Sequence, residues 1–250
     1  MKVYFVGSGP GDPELLTLRA KRLLESADVV VYAGSLTNPA ILEFAKGAEL
    51  YDSSGMTLEE IVEIMERAVR QGRRVVRLHS GDPSIYGAAG EQIQELKKRG
   101  IECELVPGVS SFLAAAARLG VEYTVPGVSQ TVILTRIAGR TPVPEKERLE
   151  ELAKHRASMV IFLSASHIEE VVKQLLRSYP PATPAAVVYR ASWEDEMVIR
   201  SCLGEIAPLV ERAGIRRSAL ILVGDFLEKQ GERSRLYNKE FTHGFRRRKK

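Results

Sequence analysis

The 250-residue sequence is poor in the residues that usually announce a metal centre, a redox motif or a membrane span. Its two cysteines, Cys103 and Cys202, lie far apart and form no C-x-x-C pair, so neither a zinc site nor a redox dithiol is signalled. The four histidines, His79, His155, His167 and His243, show no H-E-x-x-H spacing, and no metal ligands are expected from the protein. No apolar run approaches the roughly 20 residues that a membrane helix needs. The first residues, Met1-Lys2-Val3-Tyr4-Phe5-Val6-Gly7, pass straight into a strand-like run, too short for a signal peptide. A cytoplasmic location is the expectation. Tryptophan occurs once, at Trp193.

What is present is the composition of a globular protein: 44% hydrophobic and 27% charged residues rule out a disordered chain. The length suits one large domain or two small ones. The net charge of +4 is unevenly placed. Residues 229–250 hold nine Lys/Arg against two Glu, a net of +7, so residues 1–228 carry −3. The tail ends Arg246-Arg247-Arg248-Lys249-Lys250, a run that could touch nucleic acid or acidic lipid and is expected to be a solvated, disordered end. The acidic body argues against an RNA surface, which needs a basic stripe.

The first half alternates strand-like and helical patterns. Residues 2–6, 29–32, 75–79 and 102–106 read as buried strands. Thr57-Leu58-Glu59-Glu60 is a capping box opening an amphipathic helix, and Asn38-Pro39 is an N-cap followed by a first-turn proline. Residues 88–98 supply another helix, stopped by Gly100. This β-α-β-α rhythm predicts a mainly parallel sheet covered on both faces. A seam falls near 120–127. Beyond it, strands are expected at 131–135, 159–163, 185–189, 197–201 and 219–223, with helices near 168–176 and 206–213. The short gap between Tyr189 and Met197 suits a hairpin, so the second sheet should be mixed. Two α/β domains, 1–119 and 120–228, and a basic tail, 229–250, are expected.

Three loops follow predicted parallel strands: Gly7-Ser8-Gly9-Pro10-Gly11-Asp12-Pro13, Ser80-Gly81-Asp82-Pro83-Ser84-Ile85-Tyr86-Gly87 and Pro107-Gly108-Val109-Ser110-Ser111. The first is no dinucleotide fingerprint, because Asp12 stands where the third glycine is needed and Pro10 removes a donor. No G-K-[ST] follows, which excludes a P-loop. Any one of the three could be an ordinary βα turn. Together, at the strand ends where open α/β sheets bind ligands, they point to a small ligand cradled by backbone, with Asp82 as its charged partner.

These loops, taken in order, resemble the tetrapyrrole methylases, over residues 1 to about 227. The resemblance implies S-adenosylmethionine as donor and S-adenosylhomocysteine as product. It also implies a two-domain fold with the donor in the cleft between domains, a tetrapyrrole substrate and a homodimer. Two stretches, Tyr32-Ala33-Gly34-Ser35-Leu36-Thr37-Asn38-Pro39 and residues 77–86, resemble the members that methylate precorrin-4, or its cobalt form, at C11 in cobalamin biosynthesis. Ser80, where uroporphyrinogen-III methylases tend to carry glycine, weighs against that substrate. Position by position, the family's donor contacts fall on Pro10, Ser80, Gly81, Asp82, Ile85, Tyr86, Ser110 and Ser111, then on Leu163, Arg190, Ala191, Ala219 and Leu220. Ser35, Asn38, Arg136, Arg140 and Trp193 are candidates for the substrate, the arginines because such substrates carry many carboxylates. Each arginine could equally be a solvated surface residue, and Trp193 could simply fill an interface. No general base is singled out. The rival readings are a methylase of this fold acting on another precorrin or uroporphyrinogen, an RNA or protein methylase, a nicotinamide dehydrogenase, and a non-catalytic nucleic-acid binder working through the tail.

Overall fold

Valine-rich runs flanked by amphipathic helices build the first half of the chain as the alternation predicts. The computed structural model describes residues 2–139, 141–232, 241–242 and 244–245. By internal contacts the chain divides into two units. One takes the chain up to Ala115 together with Arg190–Glu196; the other takes Ala116–Tyr189 and the chain from Met197 onward.

In the first unit the order is β1 (Lys2–Gly7), α1 (Leu18–Glu25), β2 (Val29–Tyr32), α2 (Pro39–Leu42), β3 (Glu49–Asp52), α3 (Leu58–Arg70), β4 (Val75–His79), α4 (Ala89–Lys98) and β5 (Glu102–Val106), with α5 (Ser111–Leu119) leading out. All five strands are parallel, in the spatial order β3-β2-β4-β1-β5. Alternate residues separate two cores. Val3, Phe5, Val29, Val31 and Val75 pack with Ile61, Val62, Met65 and Ala68 of α3 and Leu96 of α4. Val6, Val30, Val76 and Leu78 pack with Ala20 and Leu24 of α1 and Ile41 of α2. Both faces of β4 are therefore buried, and all five of its residues are buried, Arg77 and His79 included.

Helix α3 shows how local signals and packing agree. Thr57 accepts from the Glu60 amide while Glu60 accepts from the Thr57 amide, closing the capping box. Glu59 and Glu60 lie in its first turn and Arg67 and Arg70 in its last, as the helix dipole favours. Met65 is fully buried, a contribution of roughly 1.5–3 kcal/mol. Strand β3, with mostly exposed residues at the sheet edge, was not foreseen because Glu49-Leu50-Tyr51-Asp52 carries no apolar face.

The topology places a crevice. β1 and β4 are neighbours, yet β1 leads through α1 toward β2 on one side, and β4 leads through α4 toward β5 on the other. The connections diverge onto opposite faces of the sheet. That is a topological switch point, and the first two glycine loops flank it.

The second unit contains β6 (Val132–Thr135), α6 (Leu149–Ala153), β7 (Ser158–Ile161), α7 (Ile168–Leu175), β8 (Pro184–Tyr189), β9 (Met197–Cys202), α8 (Ile206–Arg212) and β10 (Ala219–Val223). Its sheet has the order β6-β7-β10-β8-β9 and is mixed: β6 and β7 are parallel, the other neighbours antiparallel. Ile168, Val171 and Leu175 of α7 and Ile206 and Val210 of α8 pack on Met159, Ile161, Val187 and Ile221. β8 and β9 form the expected hairpin, in register from Pro184 opposite Cys202 to Tyr189 opposite Met197. One boundary is corrected. The strand expected to run to Leu163 ends at Ile161, because Leu163 turns into the left-handed region at φ 53° and leaves the ladder. Most of the tail lies outside the described residues.

Candidate active site

The ends of β1, β4 and β5 are tied together by main chain. Ser8 N donates to His79 O (2.7 Å), and Gly9 and Gly81 exchange amide hydrogen bonds of 3.2 and 2.8 Å. Contact is closest at Gly7 and Gly108: a Cβ on Gly7 would lie 2.6 Å from the Gly108 Cα and equally close to the Gly81 carbonyl oxygen. Only glycine fits there. Gly81, at φ +65°, sits over Ser110 and the Ser111 amide, with Ser110 Oγ 3.9 Å from where its Cβ would stand. Ser80, Gly81, Asp82, Ser110 and Ser111 are thus brought together.

Asp82 fastens the second loop to the third. One carboxylate oxygen accepts from the Ser84 amide (2.8 Å) and hydroxyl, the other from the Gly108 amide (2.8 Å). Partial burial pushes its pKa up, but these hydrogen bonds and the nearby His79 outweigh it, and the carboxyl titrates below the usual range. Its negative charge is spread over three donors. Ile85 is half-buried, and Tyr86 is 45% exposed at the loop tip.

Side chains hold the first loop. Trp193 Nε1 donates to Pro10 O (2.9 Å), Asn38 Nδ2 to Gly11 O (3.0 Å), and Asp12 N to Ser192 Oγ (3.0 Å). Asn38 also caps α2 by accepting from Ala40 N. The polar atoms of two residues expected at the substrate, Asn38 and Trp193, are therefore engaged on the first glycine loop. Arg190 lies over the Trp193 ring at 4.8 Å and pairs with Asp195 at 2.6 Å; Ala191 is buried. Ser35 is exposed in a turn after β2 that Asp52 ties down through Gly34 N (2.9 Å).

Three polar residues within the two stretches that carry the resemblance have surroundings that the sequence does not show. Arg77, on β4, is 6% exposed, and its guanidinium donates to Gln92 Oε1 (2.9 Å) and the Val31 carbonyl (3.2 Å). Burial lowers its pKa to about 10. His79, stacked on Phe5, is pushed down to about 3, chiefly by burial and then by the Arg77 charge. It is neutral at pH 7. His79 Nε2 and the hydroxyl of buried Thr37 have no hydrogen-bond partner among the described residues. Both stand at strand ends on the glycine-loop edge.

The strand directions of the second sheet gather the remaining candidates, Arg190 as the residue that follows β8 in the chain. Leu163 follows β7, Arg136 follows β6, and Arg190 follows β8; Ala219 and Leu220 open β10, which runs the opposite way. All five positions therefore fall at one edge of the mixed sheet. Leu163 is 68% exposed, whereas Leu220 is buried. Arg136 donates to the carbonyls of Ile137, Thr141 and Pro142 at 2.8–3.1 Å and braces its own loop. Arg140 lies outside the described residues.

Backbone strain marks the same places. Seven non-glycine residues adopt positive φ among the described residues, and Tyr86, Ala88, Leu163, Arg190, Ser192 and Ser218 all lie in loops at these strand ends. Such conformations persist where surrounding structure imposes them, and they cluster at functional sites.

Comparison with known proteins fits this geometry. The profile of the tetrapyrrole (corrin/porphyrin) methylases matches residues 2–207. The chain is 56% identical over 248 residues to a cobalt-precorrin-4 C(11)-methyltransferase of Methanocaldococcus jannaschii, covering 98% of this chain and 96% of that one. It is 48% identical to a precorrin-4 C(11)-methyltransferase of Pseudomonas aeruginosa, covering 98% and 99%. Among solved structures, a cobalt-precorrin-4 methyltransferase superposes with a TM-score of 0.89 at 45% identity, covering 91% of this chain and 96% of that one. A uroporphyrin-III C-methyltransferase of Thermus thermophilus, complexed with S-adenosylhomocysteine, does so with 0.78 at 33% identity, covering 91% and 94%. The chain belongs to the tetrapyrrole (corrin/porphyrin) methylase family.

Proposed function

We propose that this chain transfers the methyl group of S-adenosylmethionine to C11 of precorrin-4 or its cobalt form, a step of cobalamin biosynthesis. The observation that carries the reading is likeness over nearly the whole chain, 56% and 48% identity, to two proteins bearing that name. The first unit's loops fit the donor: glycine backbone at Gly81 has Ser110 and the Ser111 amide beside it, and the orphaned polar groups of Thr37 and His79 stand at the same edge. When bound, S-adenosylmethionine supplies an electrophilic methyl group and leaves as S-adenosylhomocysteine.

Pro10, Ser80, Gly81, Asp82, Ile85, Tyr86, Ser110 and Ser111 are the residues proposed to hold the donor from the first unit. Leu163, Arg190, Ala191, Ala219 and Leu220 are those proposed from the later strands. The protein's task in such a transfer is chiefly to hold the accepting carbon in line with the S–CH3 bond at about 3–3.5 Å and to keep water out. A carboxylate aimed at the sulfur would stabilise the charged ground state more than the transition state, in which that charge is discharged. Asp82 has its charge spread over Ser84 and Gly108, which suits a residue that orients loops. A cytoplasmic homodimer belongs to the same proposal, and sedimentation of the purified protein tests the dimer.

The experiment is incubation with isotope-labelled donor and, in separate arms, precorrin-4, cobalt-precorrin-4 and uroporphyrinogen III. Mass and NMR then locate the new methyl. Label at C11 of either precorrin-4 form is expected; label only on uroporphyrinogen III would overturn the substrate assignment and leave the donor assignment standing.

A further inference from the structure

We infer that Trp193 is a positioning residue for the donor loop: the seven-residue excursion Arg190–Glu196 holds the Pro10–Asp12 main chain in its donor-binding shape. The inference rests on the donor reading above and adds a working part to it. β8 and β9 are already paired up to Tyr189 and Met197, a hairpin that two residues could close. The excursion is longer than the hairpin needs, and its contacts place it in the first unit.

Its conformation is imposed. Arg190 and Ser192 both adopt left-handed backbone, at φ 45° and 70°. Arg190 pairs with Asp195 and covers the indole, and Ser192 N donates to the Glu196 carboxylate at 2.7 Å. This internal bracing aims two polar tips at one target: Trp193 Nε1 at the Pro10 carbonyl and Ser192 Oγ at the Asp12 amide. The indole also fills the space beside Gly11, where a Cβ would run into its five-membered ring. Pro10 has no amide of its own. Two of the three carbonyls in this stretch, those of Pro10 and Gly11, and the Asp12 amide are taken by side chains, the third tie coming from Asn38. A loop braced in this way meets the donor already ordered, and the ordering cost is met in folding rather than in binding.

The test uses the full chain and S-adenosylhomocysteine. Calorimetry gives the affinity independently of any fluorophore, and the sole tryptophan reports on the loop itself. Binding should shift Trp193 emission saturably, at the calorimetric Kd. Trp193→Phe keeps a ring but loses the N–H, and should raise Kd for the adduct and KM for the donor about 3–10-fold, the effect of one hydrogen bond. The rise in donor Kd and donor KM should exceed any change in kcat. Ser192→Gly tolerates the same left-handed backbone and loses the hydroxymethyl group; it should weaken adduct binding about threefold, and it carries the test if the tryptophan variant folds poorly. Wild-type affinity in both variants overturns the inference and leaves the donor reading intact. Absence of calorimetric binding to the wild type overturns both.

Discussion

The two sheets solve the problem of gathering a site in different ways. In the first, every strand is parallel, so all the strand ends that carry loops share one edge, and main chain meets main chain at Gly7, Gly81 and Gly108. In the second, strand directions are mixed, and the candidate positions come partly from strand ends, Arg136, Leu163 and Arg190, and partly from a strand beginning, Ala219. The first edge is rigid backbone with no space for a methyl group. The second is side chains on a strained but open backbone, with Leu163 largely exposed. Glycine chemistry can be lost by adding one atom; side-chain chemistry is lost only by removing one.

The contrast breaks most visibly at Gly108. Gly108→Ala puts a Cβ against the Gly81 carbonyl and 2.8 Å from the Gly7 Cα, with only backbone to give way. Folding should weaken by about 3 kcal/mol or more, and binding of S-adenosylhomocysteine should fall at least ~100-fold, read by urea unfolding and calorimetry. Near wild-type values for both would show that the loops are not locked together.

Acid should separate the units next. The native His79 titrates at about 3, and an unfolded histidine near 6.5. As pH falls from 6.5 toward 3 the unfolded chain takes up a proton that the native state refuses, so stability is full above 6.5 and drops by several kcal/mol across that window. The second unit's buried ionisable groups include Tyr123 and Tyr179, whose pKa values burial raises, so they stay neutral in acid. At pH 4, hydrogen exchange should therefore rise in β4 before β7 or β10, and His79→Gln should reduce the stability lost between pH 7 and 4 by about 2–3 kcal/mol. Parallel pH profiles for the variant and the wild type would refute this account. The smallest effect is expected at Leu163. Leu163→Gly relieves left-handed strain but frees the unfolded chain, two terms of about 1 kcal/mol that oppose each other. Unfolding should barely move while the adduct's Kd rises several-fold; an unchanged Kd would remove Leu163 from the site.

Most of the fold was legible because β-branched runs and capping signals are local. Val75-Val76-Arg77-Leu78-His79 reads as a buried strand whatever surrounds it, and Thr57 with Glu60 marks the start of α3. Strand β3 was not, since an exposed edge strand needs no apolar face, and Leu163 was placed in a strand because Ile161-Phe162-Leu163 continues the apolar run past the last ladder pair. At the site, the three loops could be read from their glycines and prolines. The ties between them could not. Ser192 meets Asp12 across 180 residues and Asp82 meets Gly108 across 26, and such pairs are set by strand order and register rather than by neighbours in sequence. Arg136 shows a further contact that residue type does not foretell: its guanidinium donates to three carbonyls of its own loop.

The chain order of the Arg190–Glu196 excursion also bears on biosynthesis. The loop that follows β1 leaves the ribosome some 180 residues before Ser192 and Trp193, which brace it. At a translation rate of about 5–20 residues per second, that interval is on the order of 10–40 seconds. During it the nascent parallel sheet can form while its ligand-binding edge stays unfinished. On the proposed donor reading, occupancy of that edge then becomes a late checkpoint, reached only after Trp193 has been made.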